Sequence, residues 1–243
     1  MLRVEHLTVE AGGRLILNDV SLAVEKGETV VLFGPNGSGK STFIKAIMNL
    51  SGYDRVSGVV TLDGIALTGE PVSVRAKAGL GIMFQHPARI YGIKLSQMAG
   101  LLTGDPGEVA ARAEELHVTS FLGQDLNVNL SGGEMKRVEL FQLLLQKPKM
   151  LLLDEPESGV DVENISLMGT LLNDYLKRTS CGCLIITHTG HILDYIDASR
   201  ACVMTEGRLS CHGRPKVILA EIRKYGYERC RECRCPDMMP KKN

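Results

Sequence analysis

The sequence carries no net charge: 28 Lys and Arg balance 28 Asp and Glu. That balance argues against a nucleic-acid-binding surface. No window approaches 18 uninterrupted apolar residues, so no membrane span is predicted. The opening MLRVEHLTVE alternates polar and apolar residues and lacks the apolar stretch of a secretory signal. Internal repeats and low-complexity segments are missing too. Seven cysteines is an odd count without a secretory signal, so reduced thiols in a cytosolic protein are expected.

What is present suffices for a real core. Of 243 residues, 44% are hydrophobic, enough for one large domain or one domain with an inserted lobe. The first third reads as strands: LRVEHLTVE, RLILNDVSLAVE and ETVVLF, separated by Gly-containing turns. GKSTFIKAIMNL has helical spacing. SGVVTLDGIAL reads as a strand with a hairpin turn at Asp63-Gly64, and GLGIMFQ as another strand. From Pro87 to about Gln146 helices dominate, in SQMAGLL, PGEVAARAEELH and GGEMKRVELFQLLLQ. Strand–helix alternation then resumes with KMLLLD, VENISLMGTLLNDYLKR and GCLIITH, followed by a hairpin in ASRACVMTEGRLSCHG. Alternation of this kind implies a parallel sheet with crossover helices. Residues 1–86 and 148–228 are expected to form an α/β core, 87–147 an inserted helical subdomain, and 229–243 a flexible tail.

LFGPNGSGKS has the spacing GxxxxGK[ST] between an apolar strand and a helix start. Glycines there let backbone N–H groups converge on phosphate oxygens, and the helix end adds partial positive charge. The predicted phosphate-binding residues are Gly34, Pro35, Asn36, Gly37, Ser38, Gly39, Lys40, Ser41 and Thr42. Lys40 would reach the terminal phosphates, and Ser41 would ligate Mg2+. The strand MLLLD ends on Asp154, suited to hold the same ion. Glu155, one residue on, can polarise a water for attack on a γ-phosphate, although an exposed turn carboxylate would look the same. Ser131 is a good N-cap with Glu134 at N3, which by itself predicts only a well-capped helix.

In this order the motifs resemble the ATP-binding cassette (ABC) ATPases. GPNGSGKST resembles the Walker A loop, MFQ the Q-loop with Gln85, LSGGE the signature, LLLDEP the Walker B strand, ESGVD the D-loop, and IITH the switch with His188. The resemblance implies a P-loop core with an N-terminal antiparallel β subdomain and an inserted α-helical subdomain. It implies ATP and Mg2+ as ligands and a head-to-tail homodimer. Ser131 and Gly133 would then contact the γ-phosphate in trans. Glu155 would be the general base, His188 and Lys40 would assist, and Gln85 would sense the metal.

Three further stretches, DEPESGVDVENI, FQHPARIYGI and the closing run from THTGHILDYID onward, resemble the SufC family. That likeness implies a cytoplasmic ATPase acting on a SufB-like scaffold in iron–sulfur cluster assembly, with partner contacts between Gln85 and Leu95. The alternative is the ATP-binding subunit of a membrane transporter. The first hairpin carries no aromatic for adenine, leaving Val9, Ala11 and Leu17 for apolar contact. Cys230, Cys233 and Cys235 could bind a metal or accept sulfur, but no four-ligand spacing is visible. Cys181, Cys183, Cys202 and Cys211 are expected to be packing residues.

Overall fold

Met150-Leu-Leu-Leu-Asp is buried at every position. Its two faces serve different cores, because strand side chains alternate. Leu151 and Leu153 join one cluster, Met150 and Leu152 the other. The same alternation divides Val31 and Phe33 from Val30 and Leu32, and Cys183 and Ile185 from Leu184 and Ile186. A sheet covered on both faces reads as continuous apolar runs.

The structure, a computed structural model, describes residues 1–231. In chain order the elements are β1 (Leu2–Ala11), β2 (Arg14–Val24), β3 (Thr29–Phe33), α1 (Lys40–Ile47), β4 (Arg55–Leu62), β5 (Ile65–Ala66), α2 (Val72–Ala78), β6 (Leu80–Met83), β7 (Ile90–Lys94) and α3 (Leu95–Leu102). There follow α4 (Pro106–Glu115), β8 (Asp125–Leu126), α5 (Gly132–Gln146), β9 (Met150–Asp154), α6 (Val162–Thr179), β10 (Gly182–Ile186), β11 (Arg200–Thr205), β12 (Arg208–Gly213), α7 (Pro215–Tyr225) and α8 (Glu228–Arg231). The central sheet has the order β12-β11-β3-β10-β9-β6. All its pairings are parallel except β11–β12. A second, antiparallel sheet, β2-β1-β4-β5, covers one face with α1 between. Helices α5 and α6 cover the other. This is the expected P-loop α/β core with an antiparallel β subdomain and a helical insertion.

The segment 87–147 holds α3, α4 and α5 as expected, together with a two-stranded ribbon, β7–β8, that the sequence pattern does not announce. Every residue of β7 is exposed, so no alternation marks it. Val9 and Leu17 are fully buried in the core beneath the β subdomain, which corrects their expected role against adenine. The expectation of a flexible tail from Arg229 also fails for its first residues. α8 is a helical turn with Cys230 fully buried. Tyr227 packs beside it at i−3, and ion pairs Arg229–Glu221 (3.2 Å) and Arg231–Glu206 (3.3 Å) hold the turn in place. Cys233 and Cys235 lie outside the described residues. Cys181, Cys183, Cys202 and Cys211 are buried, as packing residues should be. No helix among the described residues is long and apolar enough to cross a membrane.

One buried cation anchors the phosphate-loop helix. Arg75 of α2, 3% exposed, donates to the carbonyls of Ala46 and Ile47 at the end of α1 (3.4 and 2.5 Å) and to Glu70 O (2.9 Å). Carbonyls in the last turn of a helix lack the i+4 N–H partner of the helix interior, although Ala46 O also accepts from Asn49 N–H (3.0 Å). Arg75→Met is expected to lower unfolding free energy by about 2 kcal/mol, since hydrogen bonds to a charged donor are lost inside the protein. Urea denaturation checks this; an unchanged midpoint would contradict it.

Candidate active site

The strands β3, β9, β10 and β6 end side by side. Ile186 is level with both Asp154 and Leu32, and Met83 is level with Leu153. Loops leaving the carboxyl ends of a parallel sheet form the crevice where such folds bind ligands. Each predicted strand-end residue therefore emerges on one edge.

The loop after β3 wraps the start of α1. Gly39 caps that helix with φ of 105° and supplies no side-chain hydrogen bond. That φ is strained for any side chain, and a Cβ at Gly39 would also crowd Leu17 Cδ2 (2.7 Å), so glycine is favoured. Ser38 Oγ is buried without a hydrogen-bond partner. An open helix start and an orphaned hydroxyl suit a phosphate oxygen. Lys40 Nζ donates to the carbonyls of Gly34 (2.8 Å) and Pro35 (2.9 Å). Burial lowers its pKa, while Glu155 and Asp154 oppose that shift by charge.

Ser41 Oγ donates to Asp154 Oδ1 at 3.1 Å. Burial raises the Asp154 pKa, and the Ser41 hydrogen bond works against it. A hydroxyl beside a buried carboxylate is a donor set that fits Mg2+. Glu155 turns away from the strand with φ of 49°, its N–H bonded to Ile186 O (3.0 Å). Glu155 is 7% exposed, and its carboxylate is held at both oxygens. Gln85 Nε2 donates to Oε2 at 2.7 Å, and His188 Nδ1 lies 3.2 Å from Oε1. Asp154, Glu155, Gln85, His188, Lys40 and Ser41 are thus brought together. Gln85 contacts Glu155 rather than the Ser41–Asp154 pair.

Ser131 and Gly133 lie at the start of α5, beside the loop between Glu155 and α6. The predicted capping box is present: Ser131 Oγ accepts from Glu134 N (3.4 Å), and Glu134 Oε2 accepts from Ser131 N (2.7 Å). Asp161 caps α6 through Asn164 N (2.9 Å), and the Asn164 side chain lies against Gly133, where a Cβ would come within 2.7 Å of its Nδ2.

Sequence reasoning missed three participants. Glu157, 6% exposed, accepts from Thr187 Oγ1 and from Thr189 Oγ1 (3.0 Å), the residues flanking His188. Lys136 and Glu139 of α5 reach the backbone just before Gln85. A buried acid inside the apolar run VELFQLLL was the available signal for Glu139.

Such a topology, with these groups at its strand ends, defines a P-loop nucleotide hydrolase. The protein-family model described as ABC transporter matches residues 17–158. An uncharacterized ABC transporter ATP-binding protein of Methanocaldococcus jannaschii is 32% identical over 244 residues, covering 96% of this chain and 95% of its own length. Vegetative protein 296 of Bacillus subtilis is 35% identical, covering 86% of this chain and 85% of its own length. Among solved structures, a nucleotide-free ATP-binding cassette from an ABC transporter has a TM-score of 0.72 at 27% identity, over 90% of this chain and 97% of that one. The chain belongs to the ABC transporter family, and it is an ATPase cassette of that family.

Proposed function

We infer that this chain hydrolyses Mg-ATP at the seam of a head-to-tail pair and passes the resulting motion to a partner beside Gln85. One observation carries the reading: the Glu155 carboxylate is gripped by Gln85 and His188 next to Lys40 and the Ser41–Asp154 pair. In this reading the loop from Gly34 to Thr42 cradles the phosphates, and Lys40 meets their terminal charge. Ser41 and Asp154 hold Mg2+, with Gln85 at the rim. When bound, the ion neutralises charge on the phosphate oxygens. Glu155 takes the proton from the attacking water, and His188 keeps the carboxylate aimed. Ser131 and Gly133 complete the partner chain's site rather than their own. The helix start there offers free N–H groups to an anion.

The partner surface is the ribbon strand β7, where Ile90, Tyr91 and Ile93 are exposed at 37, 72 and 39%. The relatives' names favour a transporter, so a membrane-embedded subunit is the first reading of the partner. The second is a SufB-like scaffold for iron–sulfur cluster assembly. It rests on DEPESGVD, whose Glu157 replaces the usual Thr and binds Thr187 and Thr189. Either partner places the chain in the cytoplasm. An ATP-loaded Glu155→Gln chain, tagged and drawn from native extract, tests both. A multispanning protein supports the first, a soluble β-helical scaffold the second, and capture of neither rejects partner coupling. Specific ATPase activity is expected to fall as the isolated chain is diluted. Constant activity per chain across a wide dilution range would sink the paired site.

A further inference from the structure

Helix α5 carries two charges where packing calls for none. Lys136 and Glu139, one turn apart, are 3% and 6% exposed. Both serve the backbone of a single residue, Phe84. Glu139 Oε1 accepts from Phe84 N–H at 2.6 Å. Lys136 Nζ donates to the Phe84 carbonyl and lies 3.5 Å from Glu139 Oε2. Phe84 follows β6, the last strand on its side of the sheet. Side chains thus satisfy both of its backbone groups. Its neighbour Gln85 is the residue that donates to Glu155.

Removing both charges from water is costly, and an apolar pair of similar volume would pack as well or better. Burial pushes the Glu139 carboxyl up to about 7, with Lys136 and the Phe84 N–H pulling the other way and Asp154 adding to the rise. Burial lowers the Lys136 pKa against the attraction of Glu139, Asp154 and Glu155. A pair held at such cost calls for a return beyond packing.

We propose that Lys136 and Glu139 are a positioning pair: by clamping both backbone groups of Phe84 they fix the Gln85 amide on Glu155, and so fasten the helix that begins at Ser131 to the carboxylate at the tip of β9. The proposal rests on the reading of Glu155 given above. It makes α5 a rigid link. Its first turn faces the partner's nucleotide, and its middle holds the residue that aims this chain's own water-activating acid. Closure by a second copy is thereby felt at Gln85 through one helix, with no separate relay.

The test is the double variant Lys136→Met/Glu139→Leu, which exchanges the charges for apolar groups of similar size. It is expected to fold with a modestly lower thermal midpoint, since neither charge is left unpaired while Phe84 N–H and C=O lose their side-chain partners. Its kcat should fall on the order of tenfold to 100-fold, the scale of a misplaced catalytic contact, with KM for ATP held within about twofold. Hydrogen exchange over residues 83–86 should quicken while β9 and the rest of α5 keep their protection. Adding Gln85→Ala to the double variant should cost little more, although Gln85→Ala alone is slow, because both act through one contact. A folded double variant with normal kcat, beside a slow Gln85→Ala chain, overturns the clamp and leaves the site reading standing. Normal turnover in both Gln85→Ala and Glu155→Gln chains overturns the site reading itself. Should the double variant fail to fold, Glu139→Gln keeps an acceptor for Phe84 N–H and carries the same comparison of kcat with KM.

Discussion

Glu155→Gln is expected to bind ATP, to pair, and to turn over about 10²- to 10³-fold more slowly. The substitution preserves shape and hydrogen-bonding reach. One amide position can still accept from Gln85 Nε2, as Oε2 does now at 2.7 Å. What disappears is the basic oxygen beside His188, 3.2 Å away. Asp154 and Ser41 are untouched, so metal and phosphate binding should persist. Phosphate release under saturating ATP, with light scattering to follow pairing, reads both halves of the expectation. Near-normal phosphate release would remove Glu155 from the reaction.

Lys40→Met should act on binding first. Its ammonium is buried at 5% exposure and reaches two loop carbonyls. Methionine keeps the apolar stem and its packing while deleting the ammonium proposed to meet the terminal phosphates. A lost charge-assisted contact in a buried site is worth about 10²-fold in affinity, near 2.7 kcal/mol. Nucleotide titration by calorimetry measures this directly. An unchanged Kd would show that the backbone N–H groups of Gly37 to Thr42 bind phosphate without Lys40.

Most of the candidate site was legible because its parts are short and local. Gly39 is favoured by a φ of 105° and by Leu17 crowding any added Cβ, and a glycine in that pattern can be read without a structure. Ser131 and Glu134 form their capping box within one turn. Asp154 and Glu155 end an apolar strand that the sequence marks plainly. The residues that were missed make contacts across the chain. Phe84 meets Lys136 and Glu139 some 50 residues away, and Glu157 meets Thr187 and Thr189 some 30 away. No local periodicity encodes such pairs. Leu17 misled for a related reason: its alternation gives a buried face, and only the folded chain shows that the phosphate loop lies over it. The first residues of the expected tail misled through composition. Arg and Cys suggested solvent, yet Tyr227 and Cys230 share one side of a turn and enter the core.

Asp154, Ile186 and Leu32 share a row across three parallel strands. That row makes β9 a ruler whose length matters more than its letters. Swapping one aliphatic residue for another between Met150 and Leu153 shifts volume slightly. Deleting one turns every later side chain to the opposite face, sending Asp154 into the sheet's other core and withdrawing Glu155 from Gln85 and His188. Single-residue deletions between Met150 and Leu153 should therefore abolish activity where aliphatic substitutions at the same positions leave it largely intact.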